Sequence, residues 1–379
     1  MKGSIQLGWI LGLTFGVACG EDSGAVLRED GGNSQMPSDQ GPEPVDGGET
    51  GVDMGRADAG GGPMDGGTDP EPPCVAPGEM GACTLQDFPG RPYVAWVPAV
   101  AAGERLPVVL AFHGGAGNPL SGARNTCPGG GLEEPGCLHA VGNREGFITV
   151  YPSGTESALG PTRRIWNAGG GADGWACVGF CDPSIDEAGY IGAVLDDLAS
   201  DLPVDLDRVY ATGLSNGAAV VHRLGCELAD RLAAIAPIGG GNQFATSADC
   251  TPSRPMPILY IHGTADACWL YEGGPIACGS GMNPDPAVSV EQSMAGWAER
   301  NDCRGEPETL PGPNPVDDGI EVVEHRWRDC EAPTRHFEVV GGGHTWLGGN
   351  QYLPAEQIGP RFPDVTNQDL WDFFEAHRL

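Results

Sequence analysis

Positive charge is what this 379-residue sequence has least of: 20 lysines and arginines stand against 52 aspartates and glutamates, a formal net charge of −32. So acidic a chain repels phosphate backbones and anionic membrane or polymer surfaces, which excludes nucleic acid as an electrostatic partner and leaves neutral substrates open. Long hydrophobic runs are also missing at the start. Met1 and Lys2 lead into an apolar run from Ile5 to Ala18 that is too short to cross a bilayer and ends in small residues before Cys19. A single positive flank and that length fit an export signal instead. From Gly20 to Pro73 aromatic and β-branched residues are nearly absent, while 13 acidic side chains face only Arg28 and Arg56. Such a stretch cannot bury enough apolar surface to offset its ordering entropy, and it is predicted to be a disordered acidic tether, as a flexible coil roughly 40 Å long. Its D-x-G-type repeats lack the nine-residue period and flanking strands of a Ca²⁺ site.

Three segments follow from this: a leader over 1–19, a Gly/Pro/Asp-rich linker over 20–73, and a globular part over 74–379 long enough to bury a full core. The junction Ala18-Cys19-Gly20 resembles a bacterial lipoprotein signal, with Gly16 where such signals usually carry Leu, so Cys19 is a candidate lipidation site. The 13 cysteines are an odd count; without Cys19, twelve remain between Cys74 and Cys330, enough for six disulfides in an exported protein. Anchoring in the cell envelope through Cys19 and cleavage with release as a secreted protein both stay open. A zinc site would need two close CxxC or HxxxH pairs, which the spacings do not provide.

In the globular part, short apolar runs alternate with helical patterns. Strands are predicted over 92–98, 108–112, 147–151, 209–212, 233–237, 258–261, 322–327 and 337–340, and helices over 186–202, 216–228, 288–301 and 367–378. Several of the strands are continuously apolar, as strands buried on both faces of a mainly parallel sheet are. The alternation predicts an α/β fold with helices flanking the sheet, and Gly, His, Ser and Asp recur just after its strands, where ligands bind in such sheets.

Gly213-Leu-Ser215-Asn-Gly217 has G-x-S-x-G spacing, a pattern that 62 glycines make easy to meet by chance. Its context decides. The run 209–212 precedes it and a helical pattern follows, the strand–turn–helix that exposes a nucleophilic serine. A serine hydroxyl needs an oriented base. Of eight histidines, His344 in "VVGGGHTWLGG" sits on a Gly-rich loop after a strand, whereas His113 and His262 precede glycines at strand ends, where they are expected to hydrogen-bond the backbone. Asp266, closing "PILYIHGTAD", is the candidate orienting acid; an Asx-turn is its ordinary alternative. "LPVVLAFHGGAGN" runs a strand into His113-Gly114-Gly115, so the N–H groups of Gly115 and Asn216 are candidate oxyanion donors. The chain order Ser, Asp, His matches one of the three known triad orders.

From about residue 92 onward the chain resembles the poly(3-hydroxybutyrate) depolymerase-like and feruloyl or acetylxylan esterases of carbohydrate esterase family one. The segments that carry the resemblance are "FHGGAGN", "VYATGLSNGAAVVHRLGCEL", "LAAIAPIGG", "HGTAD" followed by "YEGG", and "GGGHTWLGG". The resemblance implies a disulfide-stabilised α/β-hydrolase with Ser215 as nucleophile, His344 as general base and acid, and Asp266 as its orienter. It also puts Trp346 and Trp166 beside the substrate, with a place in the core as the alternative for either. It implies tethers Cys226–Cys250 and Cys303–Cys330; Cys74–Cys83, Cys127–Cys137, Cys177–Cys181 and Cys268–Cys278 are paired by proximity alone. The chain departs from the family at Gly115 (often Cys), Ala218 (usually Gly), Leu347 (often Pro) and in a longer "GWACVGFCDPSID". These leave the triad whole and the acyl and alcohol pockets open.

The expectation is an exported serine carboxylic ester hydrolase that needs neither metal nor organic cofactor. Its substrates would be polymeric: feruloyl or acetyl esters on polysaccharide, or a poly(3-hydroxybutyrate)-type polyester. A serine peptidase of the same fold and a non-catalytic surface binding protein are the rival readings.

Overall fold

The structure is a computed structural model that describes residues 74–99, 104–157, 160–169, 184–246, 248–278 and 283–379. The predicted leader, Cys19, the linker over 20–73 and the Cys177–Cys181 pair lie outside the described residues.

The strands in chain order are β1 (Met80–Cys83), β2 (Tyr93–Trp96), β3 (Leu106–Phe112), β4 (Ile148–Tyr151), β5 (Thr155–Ser157), β6 (Gly160–Ile165), β7 (Val204–Leu214), β8 (Ala234–Ile238), β9 (Ile258–Gly263), β10 (Gly274–Ile276), β11 (Asn283–Ala287), β12 (Glu308–Pro311), β13 (Glu321–Arg326) and β14 (Thr334–Val340). Ten of them form one sheet in the order β1-β2-β4-β3-β7-β8-β9-β14-β13-β12, and β5-β6 and β10-β11 are separate hairpins. The six central strands, β4-β3-β7-β8-β9-β14, run parallel, and antiparallel strands finish both edges. All eight predicted strands are present, within a few residues of their expected bounds.

The helices are α1 (Pro119–Asn125), α2 (Leu138–Glu145), α3 (Glu187–Asp201), α4 (Asn216–Glu227), α5 (Val290–Arg300), α6 (Ala355–Ile358) and α7 (Asn367–Phe374). The last ends four residues before the predicted 378. Successive strand side chains point to opposite faces, and this divides the core in two. Val108, Leu110 and Phe112 of β3 join Tyr190, Ile191 and Leu195 of α3 and Val220, Val221 and Leu224 of α4. Val109 and Ala111 join Ala123 of α1, Leu138 and Val141 of α2 and Trp371 and Phe374 of α7. Helices therefore cover both faces, as the unbroken apolar strands require.

The chain lays β3, places β4 on one side, then crosses to β7 on the other, so the strand order reverses between β3 and β7. Phe112 is in register with Gly213 there. The carboxyl ends of β3 and β7 lie at that switch point, the place where open α/β sheets bind ligands. Five of the six expected disulfides are formed by described residues: Cys74–Cys83, Cys127–Cys137, Cys226–Cys250, Cys268–Cys278 and Cys303–Cys330.

Candidate active site

Ser215 stands between β7 and α4 with φ 62° and ψ −124°, a conformation that costs a non-glycine residue about 1–3 kcal/mol and persists only where its surroundings over-determine it. They do. Ser215 N–H donates to the Ile238 carbonyl at the end of β8. A Cβ built at Gly217 would lie 2.4 Å from the Phe112 carbonyl oxygen, and one at Gly213 2.7 Å from the Gly217 backbone. Strand, turn and helix meet closer than side chains permit, so both glycines of the motif are required by packing. The Ser215 hydroxyl caps nothing, although its residue is the N-cap of α4, and the helix N-terminus supplies positive potential beneath it.

His344 and Asp266 are joined: His344 Nδ1–H donates to Asp266 Oδ2 at 2.6 Å, with both residues buried. The other carboxylate oxygen, Oδ1, accepts the backbone N–H of Cys268 at 2.8 Å and of Trp269 at 2.7 Å. Burial alone would raise the Asp266 pKa. The facing His344 and the contacts from His262 and His344 overcome it and hold the carboxyl well below the usual carboxylate range. With Nδ1 engaged, His344 Nε2 is left buried without a hydrogen-bond partner.

Two glycines bring Ser215 beside this pair. A Cβ at Gly239 would lie 3.2 Å from His344 Nδ1, and one at Gly240 would lie 2.3 Å from the Ser215 carbonyl oxygen. The end of β8 is thus a thin wall, with the serine turn against one residue and the imidazole against the next. "IGG" after an apolar strand was the available signal for it, and it is legible only once the turn and the histidine are known to converge there.

The loop after β3 is built around His113. Gly154 N–H donates to His113 Nε2 at 3.1 Å, so Nδ1 carries the proton and donates to the Gly114 carbonyl at 2.8 Å. Burial pushes the His113 pKa down to about 4. Gly117 N–H closes the turn on the same carbonyl, and Ala116 takes φ 59°. A Cβ at Gly115 would lie 3.6 Å from Asn216 Cβ, so the two residues predicted to supply the oxyanion donors are neighbours.

Both tryptophans are buried. Trp166 is fully buried, its indole N–H donating to the His113 carbonyl at 2.9 Å. Its backbone N–H and carbonyl are both paired with the Asn216 side chain, at 2.7 and 3.1 Å. Trp346 is 2% exposed, and its indole N–H donates to Asn367 Oδ1 at the start of α7. Both positions fit the core alternative, each large ring being buried and bracing a loop. His262 and His113 bond to backbone as expected, and His336 is buried.

Among solved structures, an acetyl xylan esterase from Aspergillus awamori superposes over 79% of this chain and 99% of its own, with a TM-score of 0.52 at 14% identity. The fold is that of the α/β-hydrolases. In sequence, the chain is similar to "Feruloyl esterase B" of Piromyces equi, 27% identical over 260 residues, which cover 67% of this chain and 42% of that protein. It is also similar to "Bifunctional acetylxylan esterase/xylanase XynS20E" of Neocallimastix patriciarum, 23% identical over 286 residues, 75% of this chain and 33% of that one. The chain therefore spans less than half the length of these two relatives. "Putative esterase NocK" of Nocardia uniformis subsp. tsuyamanensis is 28% identical over 307 residues, 74% of this chain and 75% of its own. No family model matches. The resemblance to feruloyl and acetylxylan esterases read from the sequence thus agrees with the similarities found.

Proposed function

We propose that the protein is an exported serine carboxylic ester hydrolase that cleaves feruloyl or acetyl esters from polysaccharide, with Ser215, His344 and Asp266 as its catalytic triad. The observation that carries this reading is the Asp266–His344 pair at 2.6 Å, with a free imidazole nitrogen on the glycine wall shared with the strained Ser215 turn. The names of the sequence relatives favour polysaccharide esters over a polyester.

His344 Nε2 takes the hydroxyl proton as Ser215 Oγ bonds to the ester carbonyl carbon. The carbonyl π pair moves to oxygen, and that oxyanion meets the N–H groups of Gly115 and Asn216. Collapse expels the alcohol, which leaves with the proton held by His344. The acyl-enzyme is hydrolysed by water through the same two steps, returning the proton to Ser215. Asp266 stays ionised throughout and steadies the imidazolium. A lipid on Cys19 would hold the enzyme at the cell envelope, and the alternative is release.

The test compares parent and Ser215→Ala on methyl ferulate, acetylated xylan and a poly(3-hydroxybutyrate) suspension. Turnover of the first or second by the parent, lost in the variant, supports the reading. Equal turnover by both proteins refutes the nucleophile, and cleavage of the polyester alone refutes the substrate class.

A further inference from the structure

Asp266 has a second imidazole beside it. His262, at the end of β9, is 1% exposed, and the partners of its ring assign its tautomer. Nε2 lies 2.8 Å from the Trp269 carbonyl, which only accepts, so Nε2 carries the proton. Nδ1 is then the acceptor of the Tyr260 hydroxyl at 2.8 Å. The same Nε2 sits 3.3 Å from Asp266 Oδ2, the oxygen that receives His344 Nδ1–H. Trp269, gripped by its carbonyl, returns its own N–H to Asp266 Oδ1 at 2.7 Å. His262 therefore reaches both carboxylate oxygens: Oδ2 directly, and Oδ1 through the backbone of Trp269. The Tyr271 ring packs 5.7 Å away, and no part of the proposed reaction uses His262.

We propose that His262 is a positioning residue for the Asp266–His344 pair: its Nε2–H locks the 266–269 turn and fixes the carboxylate so that Oδ2 meets His344. This rests on the triad reading above. A carboxylate freed to rotate misplaces the imidazole it orients, and an error of about 1 Å there costs roughly 100-fold in rate. Substrate binding is expected to be left alone, because the polar partners of His262 are Tyr260, Trp269 and Asp266.

The experiment measures kcat and KM on p-nitrophenyl acetate for parent, His262→Phe, His262→Gln, Tyr260→Phe and Ser215→Ala, each checked by near-ultraviolet circular dichroism and melting. His262→Phe is expected to lower kcat about 10- to 100-fold with KM within about twofold of the parent. His262→Gln, which keeps an N–H at the Nε2 position, restores kcat to within about fivefold of the parent. Tyr260→Phe removes only the hydroxyl that pins Nδ1 and is expected to cost about three- to tenfold in kcat; it decides the matter if His262→Phe does not fold. A folded His262→Phe with parental kcat, a loss confined to KM, or a folded glutamine variant as slow as the phenylalanine one overturns the proposal. So does parental kcat in Tyr260→Phe when the phenylalanine variant is unfolded. Ser215→Ala separates the two readings: turnover that survives it removes the triad itself, while turnover lost there and kept in His262→Phe removes only the positioning role.

Discussion

The Cys268–Cys278 disulfide closes the loop that feeds the Asp266 carboxylate, and removing it should damage catalysis beyond what lost stability explains. The bridge spans 10 residues of sequence, and the Cys226–Cys250 bridge spans 24. Chain entropy assigns them about 2.7 and 3.4 kcal/mol of stabilisation at 25 °C. Their places differ more than their energies. Cys268 and Cys278 sulfurs lie within 4.8 Å of a His344 ring nitrogen, and Cys268 N–H is one of the two donors to Asp266 Oδ1. Cys226 sits near the far end of α4, about 16 Å along the helix from Ser215. Replacing each pair by alanine should therefore lower the unfolding free energy by a similar amount, about 3 kcal/mol in urea titrations. Assayed at 25 °C on p-nitrophenyl acetate, where both remain folded, Cys268→Ala/Cys278→Ala should lose about tenfold in kcat and Cys226→Ala/Cys250→Ala less than about twofold. Parental kcat in the first variant, or equal losses in both, refutes the claim that this loop holds the carboxylate.

Two further outcomes follow from packing and burial. Gly217→Ala drives a methyl to 2.4 Å from the Phe112 carbonyl oxygen and should cost more than about 3 kcal/mol, whereas Gly192→Ala, in open space on α3, should be neutral or stabilising by up to about 1 kcal/mol; urea midpoints check the pair, and similar midpoints contradict it. Acid should destabilise the fold well before its carboxylates titrate. Burial lowers His113 to about 4 and His222 and His336 to about 3. The unfolded chain takes up protons below about pH 6.5 that the folded chain refuses. The stability these imidazoles contribute is complete above pH 6.5 and lost as pH falls from there toward 4 and 3, at up to about 1.4 kcal/mol per pH unit for each. A urea midpoint that does not change between pH 7 and 4.5 contradicts this.

The parallel centre of the sheet was legible because its strands are buried on both faces and read as unbroken apolar runs. Edge elements were not. β1 and β12 have mixed burial and no periodic signal, and α1 is seven residues whose identity rests on the Asn118–Ser121 capping box rather than on an apolar stripe. Ser215, Asp266 and His344 stood out as candidates because each follows a strand, and the order of strand ends on a parallel sheet brings such residues to one edge. For Trp166 the sequence left substrate contact and core both open, for a related reason. A tryptophan near an active loop has the same letter whether it faces substrate or holds the loop, and only the indole bond to the His113 carbonyl distinguishes them.

That bond bears on how the serine turn survives its own strain. Ser215 is tied through its N–H to β8, and Gly240 presses on its carbonyl. The next residue, Asn216, is clamped by two hydrogen bonds to the Trp166 backbone, and Trp166 is in turn anchored to the loop that carries Gly115. Behind Trp166, Asn167 N–H donates to Glu187 at 2.8 Å, and Arg91 completes that buried ion pair while standing over the Tyr190 ring. The two N–H groups proposed to meet the oxyanion come from different loops, yet one indole and one amide side chain hold those loops in a single frame. An oxyanion site needs its donors in place before charge develops, and here the strain of one residue is held by contacts from at least four other segments of the chain. Five letters of G-x-S-x-G cannot encode that, which is why the pattern alone reads as chance and the constellation does not.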